Sequence, residues 1–165
     1  MGLRSPDLNV MISAAEKASR SLLRDFGEVE QLQVSRKGPA DFVSAADKRA
    51  EQILHRELSK TRPDYSFIME ESGRVEGKDK DNIFIIDPLD GTSNFLHGIP
   101  HWCISIALER KGEIVAGLIY DPVKDEMFMA EKGSGAFMRN KRLRVSGRSK
   151  PEESVVLGGS PVAAH

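Results

Sequence analysis

The sequence is poor in most features that would narrow a function by composition. Its 165 residues hold one cysteine, one tryptophan and two tyrosines. A lone thiol, Cys103, cannot form a disulfide within the chain, which excludes a disulfide scaffold and predicts a reducing compartment. Net charge is also missing as a signal. Lys plus Arg number 24 against 25 Asp plus Glu, leaving −1, without the footprint of a nucleic-acid binder. There is no long hydrophobic run: the most apolar stretch, residues 99–108, is too short to span a bilayer and contains Pro100 and His101. Residues 1–10 carry Pro6, Asp7 and Asn9 where a signal peptide would be apolar. Repeats, low-complexity tracts and linkers are absent. A cytoplasmic globular protein with neither membrane nor direct nucleic-acid partner is expected, and 39% hydrophobic residues suffice for its core. Any site for an anion in so balanced a chain must be built locally.

Two helices are predicted first. Ser5 can cap the first, Pro6 takes the favoured opening position, and Leu8, Met11, Ala15, Ala18, Leu22 and Phe26 share one face. Gly27 is expected to stop it. The second is expected to begin near Ser44, after a turn at residues 37–41, and to carry Ala46, Ala50, Ile53, Leu54 and Leu58 before Pro63. Beyond Pro63 the period shortens. Residues 66–69, 82–86, 102–108, 114–120, 126–130 and 135–138 form short strands, separated by hairpin-like breaks at 111–112, 122–125 and 132–133. The class is therefore α+β, with two helices packed on a mainly antiparallel sheet. Residues 155–157 (Val155, Val156, Leu157) read as one more strand with nothing to cover it, so residues 1–165 are expected to be the N-terminal part of a longer domain.

The chemistry concentrates in Asp87-Pro88-Leu89-Asp90-Gly91-Thr92-Ser93-Asn94-Phe95. One carboxylate leaves a strand, and a second follows three residues later in a turn that Pro88 stiffens. Carboxylate oxygens are the hard donors magnesium takes, together with water and substrate phosphate. Backbone N–H groups of Gly91, Thr92 and Ser93 at a helix start would form a phosphate cradle facing the same ligand. Glu70-Glu71 ends an earlier strand, and if that strand lies beside residues 82–86, Glu70 meets Asp87. Three convergent carboxylates can hold two cations and so support in-line displacement at phosphorus. Taken alone, Asp87 and Asp90 beside Pro88 and Gly91 are turn formers, and Asp47, three residues after Ser44, fits a capping pattern. The full string with Glu70 and Thr92 favours metal binding. His97, His101 and Cys103 match no closed zinc spacing and are expected to be structural. The basic run Lys141, Arg142, Arg144 and Arg148 is expected to be a solvated edge.

These motifs, with Asp-Phe-Val-Ser-Ala-Ala-Asp (41–47), Glu-Glu-Ser-Gly (70–73), Tyr120-Asp121-Pro122 and the turn at 133–136, resemble the inositol monophosphatase family, its bacterial members above all. The resemblance runs over nearly the whole chain. It implies a layered sugar-phosphatase-like fold and a magnesium-dependent, lithium-sensitive phosphatase in which water attacks without a covalent phosphoenzyme. It implies Glu70, Asp87 and the Leu89 carbonyl as ligands of one Mg2+, with Asp87 and Asp90 as ligands of a second. Asp90, Gly91, Thr92 and Ser93 are placed at the substrate, Asp47 and Thr92 as the catalytic pair orienting the attacking water, Glu71 behind a ligand, and Lys37 near a third metal region.

The implied substrate is inositol monophosphate or a similar sugar phosphate. Relatives with similar motifs act on fructose 1,6-bisphosphate or 3'-phosphoadenosine nucleotides. The family is commonly a homodimer, and bacterial members also act with the transcription and ribosomal-RNA machinery, so a protein-binding role is the alternative function. One departure stands out. The family's further acidic ligand lies in a Trp-Asp-x-x-Ala motif, and Trp102, the one tryptophan, is not in that context. The 165-residue chain alone is therefore expected to be nearly inactive.

Overall fold

In the computed structural model, residues 4–33 and 38–158 are described. Helix α1 spans Pro6–Gln33 and α2 spans Pro39–Thr61. The Ser5 hydroxyl accepts the Leu8 N–H at 3.1 Å, the expected cap. Leu8, Met11, Ala15, Ala18 and Leu22 are buried along one face, and Phe26 packs against them.

Helix α1 does not stop at Gly27. An interior glycine costs about 1 kcal/mol relative to alanine, whereas burying a valine side chain contributes about 1.5–3 kcal/mol. Val29, in the core beyond Gly27, decides the balance, and the helix continues. Helix α2 likewise opens earlier than expected. Gly38 precedes it and Pro39 is its first residue, where a missing N–H breaks no intrahelical bond. Ser44 is therefore an exposed residue inside the helix and no cap, and Asp47 lies mid-helix with its side chain buried. Lys37 lies outside the described residues.

Eight strands form one sheet: β1 Tyr65–Met69, β2 Gly73–Val75, β3 Asp79–Asp90, β4 Cys103–Arg110, β5 Glu113–Asp121, β6 Glu126–Glu131, β7 Gly135–Met138 and β8 Lys141–Arg142. Their order is β2-β1-β3-β4-β5-β6-β7-β8. From β3 to β8 the sheet is the expected antiparallel meander; β1 and β3 pair in parallel. Short helix α3, Thr92–Leu96, interrupts it. Residues 155–157 are not a strand. The sheet has already ended at the two-residue β8, and these side chains stand almost fully exposed. Lys141, Arg142, Arg144 and Arg148 are exposed, as expected of a solvated edge.

Helix α1 packs on β4 and β5, and α2 packs on β1 and β3. Phe67, Met69, Phe84, Ile86, Ile104, Ile106, Leu108 and Leu118 meet them in one core, joined by Trp102 and Phe95. Two arginines lock the layers together: Arg62 Nε and Arg110 Nη2 donate to the Asp7 carboxylate at 2.7 and 2.8 Å. The β2–β3 connection closes on the start of β1 so tightly that a Cβ on Gly77 would stand 2.2 Å from the Asp64 carbonyl oxygen. Buried Ser66 clasps it, accepting the Gly77 N–H and donating to the Asp79 carbonyl. These clasps set where β1 ends relative to β3, and the site begins there.

Candidate active site

In the parallel β1–β3 pair, Met69 is the partner of Ile86. The next residues, Glu70 and Asp87, therefore leave the sheet side by side. The Glu70 N–H donates to the Ile86 carbonyl at 3.3 Å, and the two carboxyl side chains hydrogen-bond to each other. The adjacency expected from sequence is present.

Asp90 joins them through an irregularity in β3. Asp87 pairs with Ser105 and Asp90 with Cys103, three steps on β3 against two on β4. In an unbroken strand, residues three apart point to opposite faces. The extra residue falls at Pro88–Leu89, where Pro88 has no N–H to give the ladder, and such bulges re-aim side chains. The Asp90 charge thereby acts on Asp87. The Asp87 Oδ1 also accepts the Leu89 N–H at 3.2 Å, so it forms the turn as well as facing the cluster.

Helix α2 supplies Asp47 from above the sheet. Burial first, and then the charges of Glu71, Glu70, Asp87 and Glu51, push its carboxyl up to about 7. Its Oδ1 is buried and has no hydrogen-bond partner among the described residues. The expected Asp47–Thr92 pair is thus not a direct hydrogen bond at that oxygen. Thr92 Oγ1 instead donates to the Leu89 carbonyl at 3.1 Å. Burial, then the hydrogen bond and charge of Glu70, then the charge of Asp90, raise Asp87 to about 7 against the pull of the Leu89 N–H. Cys103, whose Sγ lies 3.9 Å from Asp90 Oδ2, is pushed up to about 11 by burial and by Asp90, Asp87 and Asp121.

Gly91 precedes α3 with φ 97°, and a Cβ there would come within 3.0 Å of the His101 carbonyl oxygen. Only glycine fits both demands. The first-turn N–H groups that follow, those of Thr92 and Ser93, have no intrahelical acceptor. His97 and His101 are exposed, with the His97 ring bonded to the Ser93 carbonyl and the His101 carbonyl accepting from Asn94. They hold the α3 turn, as expected of structural residues.

Among the described residues, no three Asp, Glu, His or Cys side chains already form a coordination shell. Glu70 and Asp87 face each other and share a hydrogen bond instead. The donor set nevertheless fits a hard divalent cation. Its oxygens are all carboxylate or carbonyl, the largest charge effects on Asp47 come from other acids, and Asp47 Oδ1 is unsatisfied. A cation is what relieves such crowding.

A pH prediction follows for the metal-free protein. Asp47 and Asp87 have folded-state pKa values near 7, above their ordinary 3.8. The folded state holds the extra protons, so their contribution is fully present below about 3.8 and is lost as pH rises through 7. In chelator, Asp87→Asn should therefore gain thermal stability over the unsubstituted protein, and the gap should widen from pH 5 to pH 8. Thermal melts across that range check it; a constant gap would reject the crowding.

Sequence reasoning missed Glu51. It is charged, only 2% exposed, and lies four residues beyond Asp47 on α2. The signal was available: a glutamate one residue after Ala50, on a helix face otherwise made by Ala46, Ala50 and Leu54, is out of place in an apolar stripe.

Two helices layered on one face of a mainly antiparallel sheet define the layered α+β sugar-phosphatase fold class, here with strand-end carboxylates gathered at a bulge beside a glycine-opened turn. The chain belongs to the inositol monophosphatase family, whose model matches residues 3–165. It is 61% identical over 158 residues to an inositol-1-monophosphatase of Mesorhizobium japonicum, covering 96% of this chain and 59% of that relative. It is 40% identical over 157 residues to a protein named Nus factor SuhB of Pasteurella multocida, covering 95% of this chain and 59% of that relative. The crystal structure of extragenic suppressor protein suhB from Bartonella henselae superposes with a TM-score of 0.78 at 55% identity, over 87% of this chain and 56% of that one. The chain thus spans less than two thirds of the length of these relatives. Among the described residues, no helix is long and apolar enough to cross a membrane.

Proposed function

We propose that the whole protein is a magnesium-dependent phosphomonoesterase that hydrolyses inositol monophosphate or a similar sugar phosphate. The observation that carries this reading is the meeting of Glu70 and Asp87 across parallel strands, beneath a buried Asp47 with an unsatisfied oxygen. Bound magnesium would supply Lewis-acid polarisation of the phosphate and lower the pKa of water. Glu70, Asp87 and the Leu89 carbonyl are the donors for one ion, and Asp87 with Asp90 for the second.

The chain's own residues do the rest. Gly91 leaves room for the phosphate, and the Thr92 and Ser93 N–H groups receive its oxygens. Asp90 lies at the substrate edge of the same turn. Because the Thr92 hydroxyl proton is committed to the Leu89 carbonyl, its lone pairs are left to accept. Asp47 Oδ1 is the second acceptor. Together they can accept a hydrogen bond from each O–H of a water molecule and aim its lone pair at phosphorus, positioning for in-line attack. The reading carries a cytoplasmic homodimer inhibited by lithium.

Phosphate release from inositol monophosphate, with magnesium and with chelator, tests it. Activity should appear with magnesium and vanish in chelator; full rate in chelator would reject the proposal. Similarity to a protein named Nus factor SuhB favours a second reading, a protein-binding role in transcription. A cellular effect that survives Asp87→Asn would assign that effect to docking.

A further inference from the structure

We infer that Glu51 is a positioning residue that holds the Glu70–Ser72 turn in register with Asp87. The inference rests on the phosphatase reading above, since it concerns where Glu70 stands as a metal ligand. Glu51 is one of six polar or charged residues buried among the described ones, on the α2 face that also buries Val43, Ala46, Asp47, Ala50, Leu54 and Leu58. Burying a carboxylate in such a place is costly unless donors meet it. Both of its oxygens are used. Oε2 accepts the Glu71 N–H at 2.8 Å, and Oε1 accepts the Ser72 hydroxyl.

Both donors belong to the turn between β1 and β2. Glu70, just before them, is bound from the other side by its N–H to the Ile86 carbonyl of β3. The turn is thus held from two layers, by β3 below and by α2 above. Its side chains are exposed, so without Glu51 the turn would be held only by the Glu70 bonds to Ile86 and Asp87 and by the β1–β2 pairing that flanks it. Charge-assisted hydrogen bonds accepted by a buried carboxylate are strong and directional. Glu51 therefore sets the separation of Glu70 from Asp87 without touching ion or substrate. Asp47 sits one helical turn earlier on the same helix, so α2 carries both the water-facing carboxylate and the clamp on its metal-ligating neighbour.

Two variants of the whole protein separate reach from charge. Glu51→Asp keeps the charge but withdraws the oxygens by one methylene. It should raise the magnesium dissociation constant, read by calorimetric titration, by roughly 10–100-fold, the usual effect of losing a ligand's supporting partner. Hydrogen exchange at the Glu71 amide should quicken in parallel, while substrate KM at saturating magnesium stays unchanged. Glu51→Gln keeps the reach and an oxygen for the Glu71 N–H, and should lie much closer to the unsubstituted protein on both readouts. Unchanged magnesium affinity in Glu51→Asp, even with lowered thermal stability, would overturn the inference. So would the reverse order, with Gln the more damaging, because charge and not position would then be operating. If the unsubstituted protein neither binds magnesium nor responds to it, the phosphatase reading fails and the inference with it. A normal magnesium response with an unmoved Glu51→Asp removes the inference alone.

Discussion

Asp87→Asn is expected to lower magnesium-dependent kcat/KM by about 10³-fold or more while leaving the fold in place. The magnitude comes from losing several kcal/mol of charge stabilisation, at about 1.4 kcal/mol per tenfold. The fold should survive because Asp87 has two roles that asparagine separates. Its Oδ1 accepts the Leu89 N–H, which the asparagine carbonyl oxygen can also do. What asparagine cannot do is donate negative charge to a cation. Phosphate-release kinetics and circular dichroism on the same preparation check both halves. An unfolded variant would mean that Asp87 is a turn former first and a ligand second.

The second large effect concerns length. The 165-residue chain taken alone should turn over phosphate esters orders of magnitude more slowly than the whole protein, even at saturating magnesium. Its donors are Glu70, Asp87, Asp90 and one carbonyl, while the resemblance implies a further acidic ligand in a Trp-Asp-x-x-Ala motif that is not in this sequence. Magnesium dehydrates reluctantly for a partial shell, and the two-ion clamp on attacking and leaving oxygens needs both ions. The substrate's far end would also lack positioning, which is worth several kcal/mol when present. Self-association is a further expectation, although not through an unpaired strand at residues 155–157. Exposed apolar groups among the described residues include Ile114 and Ile119 on the sheet and Val145, Val155, Val156 and Leu157 beyond it. Turnover per molecule and sedimentation of both forms decide it; equal turnover would show that the ligand set is complete within residues 1–165.

Most of the fold was legible because its signals are local. Ser5 and Pro6 mark the start of α1, and paired turn residues such as Lys111 and Gly112, both with positive φ, mark the hairpins of the meander. The places where reading failed are those where tertiary packing outweighs a local signal. Gly27 would end an isolated helix, but Val29 has a core to enter. Pro39 after Gly38 is as good a helix start as it is a turn, and only the packing of Val43 on the core side of α2 chooses between them. Residues 155–157 are apolar and two of them, Val155 and Val156, are β-branched, yet a strand needs a neighbour to pair with. Within the site, the meeting of Glu70 and Asp87 could be derived from two strand ends, conditional on one pairing. The bulge at Pro88–Leu89 that turns Asp90 to the same side could not, because register is a property of two strands together. Nor could the grip of Glu51, whose partners lie twenty residues away on another layer.

The parallel pairing of β1 with β3 has a consequence for the order in which the molecule forms. The hairpins from β3 to β8 join neighbouring segments and can close on the microsecond scale. The carboxylates of Asp47, Glu70 and Asp87 come from a helix and from two strands separated by the β2 excursion, so their meeting requires the longer loop closures that slow folding. A cation gathering all three finds only the β3 carboxylates, Asp87 and Asp90, in the nascent meander. It would therefore act on the finished molecule, lengthening its lifetime against unfolding while leaving the rate of folding nearly alone.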